Sequence, residues 1–194
     1  MIYLVLGLAI FLGVHSIAIA APAWRGRMIA RLGEGPWKAL YSVVSIGSFV
    51  LLIWGYGLAR AEPLVLYSPP LWTRWLTAAL MLPVFPLLLA AYLPGRIKLA
   101  LKHPMLAAVK FWAAAHLLAN GTLADVLLFG GFLVWAVSDR ISFKRREQPG
   151  LRTLPMSRFN DAVAIVAGLA LYFVFMHGLH VWLIGVSPLP VRAP

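Results

Sequence analysis

The chain of 194 residues contains no cysteine. That excludes disulfides, thiolate zinc sites and cysteine-held iron–sulfur clusters. Acidic residues are scarce, with six Asp and Glu against 17 Lys and Arg, and only 12% of the chain is charged. Asp125 is the only carboxylate within an apolar run, and it lies near the edge of that run. Acid–base catalysis by paired carboxylates therefore has nothing to draw on inside the apolar segments. A Gly-rich phosphate loop, a nucleophile elbow, an internal repeat and a low-complexity run are all missing as well.

What is present is apolar: 62% of residues are hydrophobic and the mean hydropathy is +0.86. A soluble domain is nearer half apolar and a quarter charged. The composition predicts an all-α, polytopic membrane helix bundle, a single integral domain over residues 1–194. The excess of basic residues could suggest nucleic acid. However, the bases sit in short segments between apolar runs, as in cytoplasmic membrane loops, so no nucleic-acid partner is expected. The partner implied is the lipid bilayer.

Six apolar segments follow in order. The first, Ile2 to Ala21, carries His15. No Lys or Arg precedes it, so it reads as a retained helix rather than a cleaved leader. The stretch to Lys38 reads as a loop, with Trp24 and Trp37 as interfacial anchors. The second segment runs from about Ala39 to Ala59. Its Ser42, Ser45 and Ser48 supply small residues for close helix packing. The third, Trp75 to Leu93, contains Pro83 and Pro86 and should kink. The fourth runs from Pro104, well placed at a helix start, to Ala119, where Asn120-Gly121 stops it. The fifth is Leu123 to Val137 and the sixth Ala162 to Val186. The fourth and fifth are short for a span, which needs about 20 apolar residues. Asn160 or Asp161 is expected to cap the sixth segment.

The five connecting segments carry 4, 2, 3, 0 and 6 Lys and Arg in turn. This alternation predicts about six spans with both termini periplasmic, in a bacterial inner membrane. The fifth connection holds Arg140, Lys144, Arg145, Arg146, Arg152 and Arg158. Such a run acts as a topology signal and contacts anionic lipid.

With cysteine missing, a metal or haem must be held mainly by histidine. His15 and His116 fall well inside the hydrocarbon, on different helices, where neutral imidazole suits haem ligation and apolar neighbours suit the macrocycle. The competing reading is a histidine simply hydrogen-bonded to a neighbouring helix. At about 100° per residue, His116 shares a face with Trp112 and Asn120, while His103 and Lys110 share another. His103 and Lys110 are expected at the cytoplasmic mouth. Lys110 should snorkel toward that side. His177 and His180 read as one face of a polar patch at the outer interface.

Three motifs, His15-Ser16, Lys102-His103-Pro104 and Ala115-His116-Leu117, are specific together and weak singly. With the stretches around them, from about Gly7 to Arg146, the chain resembles the NnrU family of bacterial membrane proteins. Residues 147–194 lie beyond the resemblance. The family is associated with denitrification and nitric oxide metabolism. It is related to the plant 15-cis-zeta-carotene isomerase, a membrane protein that uses haem b. By motif, the two axial ligands of that isomerase fall on His15 and His116, and Lys102 stands where the isomerase has Arg. The resemblance thus implies a haem b protein with His15 and His116 as iron ligands; the face that His116 shares with Trp112 and Asn120 would set those two beside the cofactor. His103 and Lys110 are weaker candidates. Denitrification or electron-transfer proteins would be its partners, and redox-regulated, isomerase-like activity is one expectation. A fainter similarity is to integral membrane methyltransferases and sterol reductases, whose Arg-His-Pro signature continues with Tyr and Gly. Here Met105 to Ala108 follow instead. Two alternatives remain, then: a methyltransferase-like or reductase-like enzyme, and a non-enzymatic accessory factor for a denitrification reductase.

Overall fold

A computed structural model describes residues 1–145 and 154–189. Arg146, Arg152 and Arg192, counted among the basic loop and tail residues, lie outside the described residues. The described elements are α1 (Ile2–Ala20), α2 (Pro22–Leu32), α3 (Glu34–Ala61), α4 (Thr73–Met81), α5 (Val84–Tyr92), α6 (Arg96–Leu101), α7 (Pro104–Ala119), α8 (Leu123–Ser142), α9 (Phe159–Val174) and α10 (His180–Ile184). A π-helical turn, Phe175–Leu179, joins α9 to α10. The helices pack in a row: α3 on α1, α1 on α8, α8 on α7, α7 on α4 and α5, and α5 on α9.

The outside of the row is oily. On α3, Val43, Ile46, Val50 and Ile53 are all more than half exposed. A soluble protein does not display such a stripe, whereas a helix facing lipid does. Among the described residues, four helical stretches are long and apolar enough to cross a membrane: Ile2–Ala20, Glu34–Ala61, Thr73–Tyr92 and Phe159–Ile184. The molecule is a helical membrane bundle. Of the two short segments, α7 reaches only about 24 Å at 1.5 Å per residue. The other, α8, carries Asp125, Asp139 and Arg140 within its length.

Three expectations hold closely. The fourth segment is helical over Pro104–Ala119. The third breaks at Pro83 into α4 and α5, because the ring cannot donate the hydrogen bond that would carry the helix through. The first segment ends at Ala20. Other expectations are corrected. The stretch after Ala21 is not a loop but forms α2, started by Pro22 at its first position and ended at Gly33 with φ +85°. Trp37 is buried, edge-on to Trp24, rather than anchored at an interface. The serine series splits: Ser48 is buried and returns its hydroxyl to the Val44 carbonyl at 2.7 Å, while Ser42 is exposed. The packing face of α3 runs instead through Ser48, Leu52, Gly55 and Ala59. The fifth segment continues five residues past Val137, to Ser142.

Asp161 does not cap its own helix. Its carboxylate accepts from the backbone N–H groups of Arg96 (2.8 Å) and Ile97 (3.1 Å), so it caps α6 from across the fold. Asn160 donates to the Pro94 and Pro155 carbonyls at 2.9 and 3.0 Å. Together they tie the start of α9 to the α5–α6 corner. At the other end of the bundle, the segment before α4 is laced to the α7–α8 turn. Leu66 and Tyr67 donate to the Gly121 carbonyl and Leu123 donates to that of Leu64.

Glycine sets the closest helix contacts. A Cβ on Gly7 would lie 2.6 Å from the Leu52 nitrogen, and one on Gly55 would run into the Tyr3–Leu4 peptide. Gly47 on the same helix faces open space. Gly55→Ala should therefore destabilise the protein by about 1–3 kcal/mol through overpacking. Gly47→Ala should be neutral or stabilising by up to about 1 kcal/mol. Thermal unfolding of both variants in one detergent, followed by circular dichroism, checks the contrast.

Candidate functional site

The site is built on α8, whose Phe129, Phe132 and Trp135 sit three residues apart. His15 of α1 meets Trp135 edge-on, with ring centroids 6.1 Å apart. His116 of α7 stacks on Phe129 at 4.6 Å. Between those levels, Phe132 packs against Phe11 of α1 at 5.7 Å and against Trp112 of α7 at 5.5 Å. The two imidazoles thus reach α8 six residues apart, about 9 Å along its axis. An aromatic layer of Phe11, Phe132 and Trp112 lies between them. The structure brings both histidines to the same helix but not to each other.

Each imidazole has the same local bond. Nδ1–H of His15 donates to the Phe11 carbonyl at 2.7 Å, and Nδ1–H of His116 donates to that of Trp112 at 2.8 Å. A carbonyl only accepts, so Nδ1 carries the proton. In the neutral ring Nε2 then keeps a lone pair, which is the form that binds a metal. His177 makes the same bond to Phe173, at 2.9 Å, but is exposed.

The surroundings of the two rings differ. His15 lines a cavity of about 300 Å³ with Val14, Ile17 and Ala18 of its own helix and Trp37 and Tyr41 of α3. Arg25 of α2 and Lys38 of α3 complete the lining. The Tyr41 ring is 5.4 Å from the imidazole, and Phe11 stacks on it at 4.1 Å. Trp135 brings a buried indole N–H with no hydrogen-bond partner. That indole lies behind the imidazole, outside the cavity lining; a free imidazole nitrogen and two cations around one largely apolar cleft are the donor set of a site that takes an amphiphilic anion.

His116 belongs to a polar cluster at the opposite end of the bundle. Asn120, which ends α7, folds its side-chain N–H back onto the His116 carbonyl at 2.9 Å. Asp125 and His180 are both near enough to interact electrostatically with His116. Asp125 is 5% exposed and forms a capping box with Thr122 at the start of α8. It also accepts a 2.6 Å bond from the Tyr56 hydroxyl of α3. Arg60 sits over the Tyr56 ring and donates to the Ile184 carbonyl. Tyr67 donates to the carbonyls of Leu117 and Asn120. Burial and the nearby Asp125 charge push its phenol above the usual range, which keeps it a donor at neutral pH. A second cavity, of about 290 Å³, opens beside Asn120, Tyr67 and Asp125.

The remaining candidates lie elsewhere. His103 is not helical, so its supposed shared face with Lys110 does not exist. It stacks flat on Phe143, the residue that follows α8, with centroids 4.2 Å apart, and joins the start of α7 to the end of α8. The residue before it, Lys102, has φ +61° and sits in a three-residue turn closed by the His103 N–H on the Leu101 carbonyl. Lys110 is half-buried within α7 and lines neither cavity. His177 lies within the π turn and His180 directly after it: the first is exposed and the second half-buried with its Nδ1–H on the Val186 carbonyl. They do not form one patch.

Arg25, Tyr41 and Trp135 gave no signal in the sequence, because nothing in their spacing links three different helices. Asp125 did give one, as the lone acid of an apolar run. Its position near the edge hid a full set of partners.

Fold and site together define a helical membrane protein with histidine-bearing sites in its interior. The chain belongs to the NnrU family: the family described as NnrU protein matches residues 3–188. The match continues beyond Arg146 through α9 and α10, further than the motifs around the histidines reach. No curated protein and no solved structure matches the chain.

Asp125→Ala removes a helix cap and strands the buried Tyr56 hydroxyl. The loss should be about 2–3 kcal/mol. Thr122→Ala removes the cap alone and should cost about 1 kcal/mol. Chemical or thermal unfolding in detergent distinguishes the two.

Proposed function

We propose that this NnrU protein is a haem b protein of the bacterial inner membrane, with His15 as an iron ligand. The unprotonated nitrogen of His15, in a cavity that also holds the cations of Arg25 and Lys38, is the observation that carries the reading. Cysteine is missing, so imidazole is the natural donor for the iron. His116 has the same ligand-ready tautomer and is the second axial candidate. Two Nε2 atoms on one iron sit about 4 Å apart. Sharing one iron would therefore require the Phe11–Phe132–Trp112 layer to part. Trp112 and Asn120 then act by holding His116: one accepts its Nδ1–H and the other binds its carbonyl.

The alternation of basic and neutral connections supports six spans with both termini periplasmic. In that arrangement α2 and α6 lie on the cytoplasmic side, with the His15 cavity opening toward α2. The association of the family with denitrification supports a role in nitrogen-oxide metabolism. Bound there, haem would supply one-electron chemistry and an axial position for a small diatomic ligand. The partners of such a protein are electron-transfer or denitrification proteins of the same membrane.

The absorption spectrum of protein purified from haem-replete cells tests this. Wild type should show a Soret band, and His15→Ala should lose it while still running as a folded species on size exclusion. His116→Ala should keep the band but shift it to a high-spin form if both histidines hold one iron. No Soret band in wild type, or one unchanged by His15→Ala, overturns the reading.

A further inference from the structure

The proposed haem site at His15 leaves two charged side chains without a role, Arg25 and Lys38. Both line the same cavity as the imidazole, and they come from different elements. Among the described residues, no carboxylate lies within ion-pair distance of Arg25. It is half-buried in a helix that holds no acidic residue. Lys38 does have a partner, Glu34 at 2.5 Å. Both side chains of that pair are well exposed, at 62% and 70%. An exposed pair of this kind contributes little and is readily exchanged. The other walls of the cavity carry no charge: Val14, Ile17, Ala18 and Trp37, with the phenol of Tyr41.

The cavity is therefore polar in one sense only. It offers a ligand nitrogen at one place, positive charge at another, and hydrocarbon between. A ligand that suits it has a flat apolar body, a metal or acidic centre for the imidazole, and negative charge along one edge. Arginine is the side chain best built for a carboxylate, with a rigid fork of donors that can engage both oxygens. Half-buried beside an apolar cleft, such a charge favours an anion, and none of the residues that line the cavity carries one.

We infer that Arg25 and Lys38 receive the carboxylates of the bound porphyrin, with Arg25 the principal contact. This rests on the haem reading above. It also orients the macrocycle: its two propionates face α2 and the start of α3, and its apolar edge is directed into the bundle. Arg25 and Lys38 are thus recognition residues for a dianionic amphiphile, and they distinguish haem from an uncharged porphyrin.

The test titrates the purified, haem-depleted full chain with haem and with haem dimethyl ester, in which both carboxylates are blocked. The readouts are the Soret band and the dissociation constant. Wild type should bind haem roughly tenfold or more tightly than the ester, the size of one charge-assisted contact. Arg25→Gln should weaken haem binding by a similar factor and leave ester binding unchanged, so that the preference collapses. Lys38→Gln should give a smaller loss in the same direction. Arg25→Lys should restore part of the preference, which a merely misfolded variant would not do. Arg27→Gln, on the same helix but outside the cavity, should behave as wild type. Equal binding of haem and ester by wild type, or no effect of Arg25→Gln, overturns this inference and leaves the haem reading standing. No Soret band with either compound overturns the reading and the inference with it.

Discussion

In lipid, burying an apolar side chain gains little, because the surroundings are already oil. What holds helices together there is close contact and the few polar bonds that water cannot compete for. The approach of α1 to α3 through Gly7 and Gly55 meets that constraint most directly. The backbones come so near that a single methyl group would separate them. Gly168 repeats the device against Pro86, where α9 meets α5. The His15 cleft lies between α1 and α3, and its dimensions follow from how tightly that glycine contact closes the other end of the pair.

The second constraint is that polar groups within the bundle must find partners inside it. Thr77 donates to the Ala115 carbonyl at 2.8 Å, and Tyr172 to that of Ala78 at 3.0 Å. Asp125 gathers Thr122 and Tyr56. Set beside this thoroughness, the bare indole nitrogen of Trp135 stands out. Among the described residues only the Ser45 hydroxyl and this indole are buried without a partner, and the indole is the one whose ring meets an imidazole with a spare lone pair. That contrast gives the His15 region more weight than any motif gives it. His116 is different: its neighbours Asn120, Asp125 and Tyr67 are already paired with protein atoms, although its own Nε2 is free.

The limits of α1 and α7 could be read from residues alone, because apolar length, Pro104 and Asn120-Gly121 are local signals. The break at Pro83 was legible for the same reason. The α2 helix was missed because three arginines and a glycine in eleven residues, with Gly33 and Gly35 just beyond, resemble a loop unless Pro22 is weighed as a helix start. Asp161 was assigned to the wrong helix because capping from another element leaves no trace in spacing. Phase arguments gave Trp112 and Asn120 correctly, since both lie one turn from His116 on one helix. They failed for His103, whose backbone is extended, and for His177 and His180, where the helix changes its period. The grouping of Arg25, Tyr41 and Trp135 with His15 is purely tertiary.

That change of period has a consequence of its own. A π turn amounts to one extra residue set into an α-helix. Everything after Leu179 is therefore advanced by about 100° relative to an uninterrupted helix. His180 lies on the side facing His116, and Ile184 presents its carbonyl to Arg60, only in this advanced register. The last helix thus behaves as a keyed part, in which length matters as much as composition. Loss of one residue between Phe175 and Leu179 would leave hydropathy almost untouched, yet turn the key away from its lock.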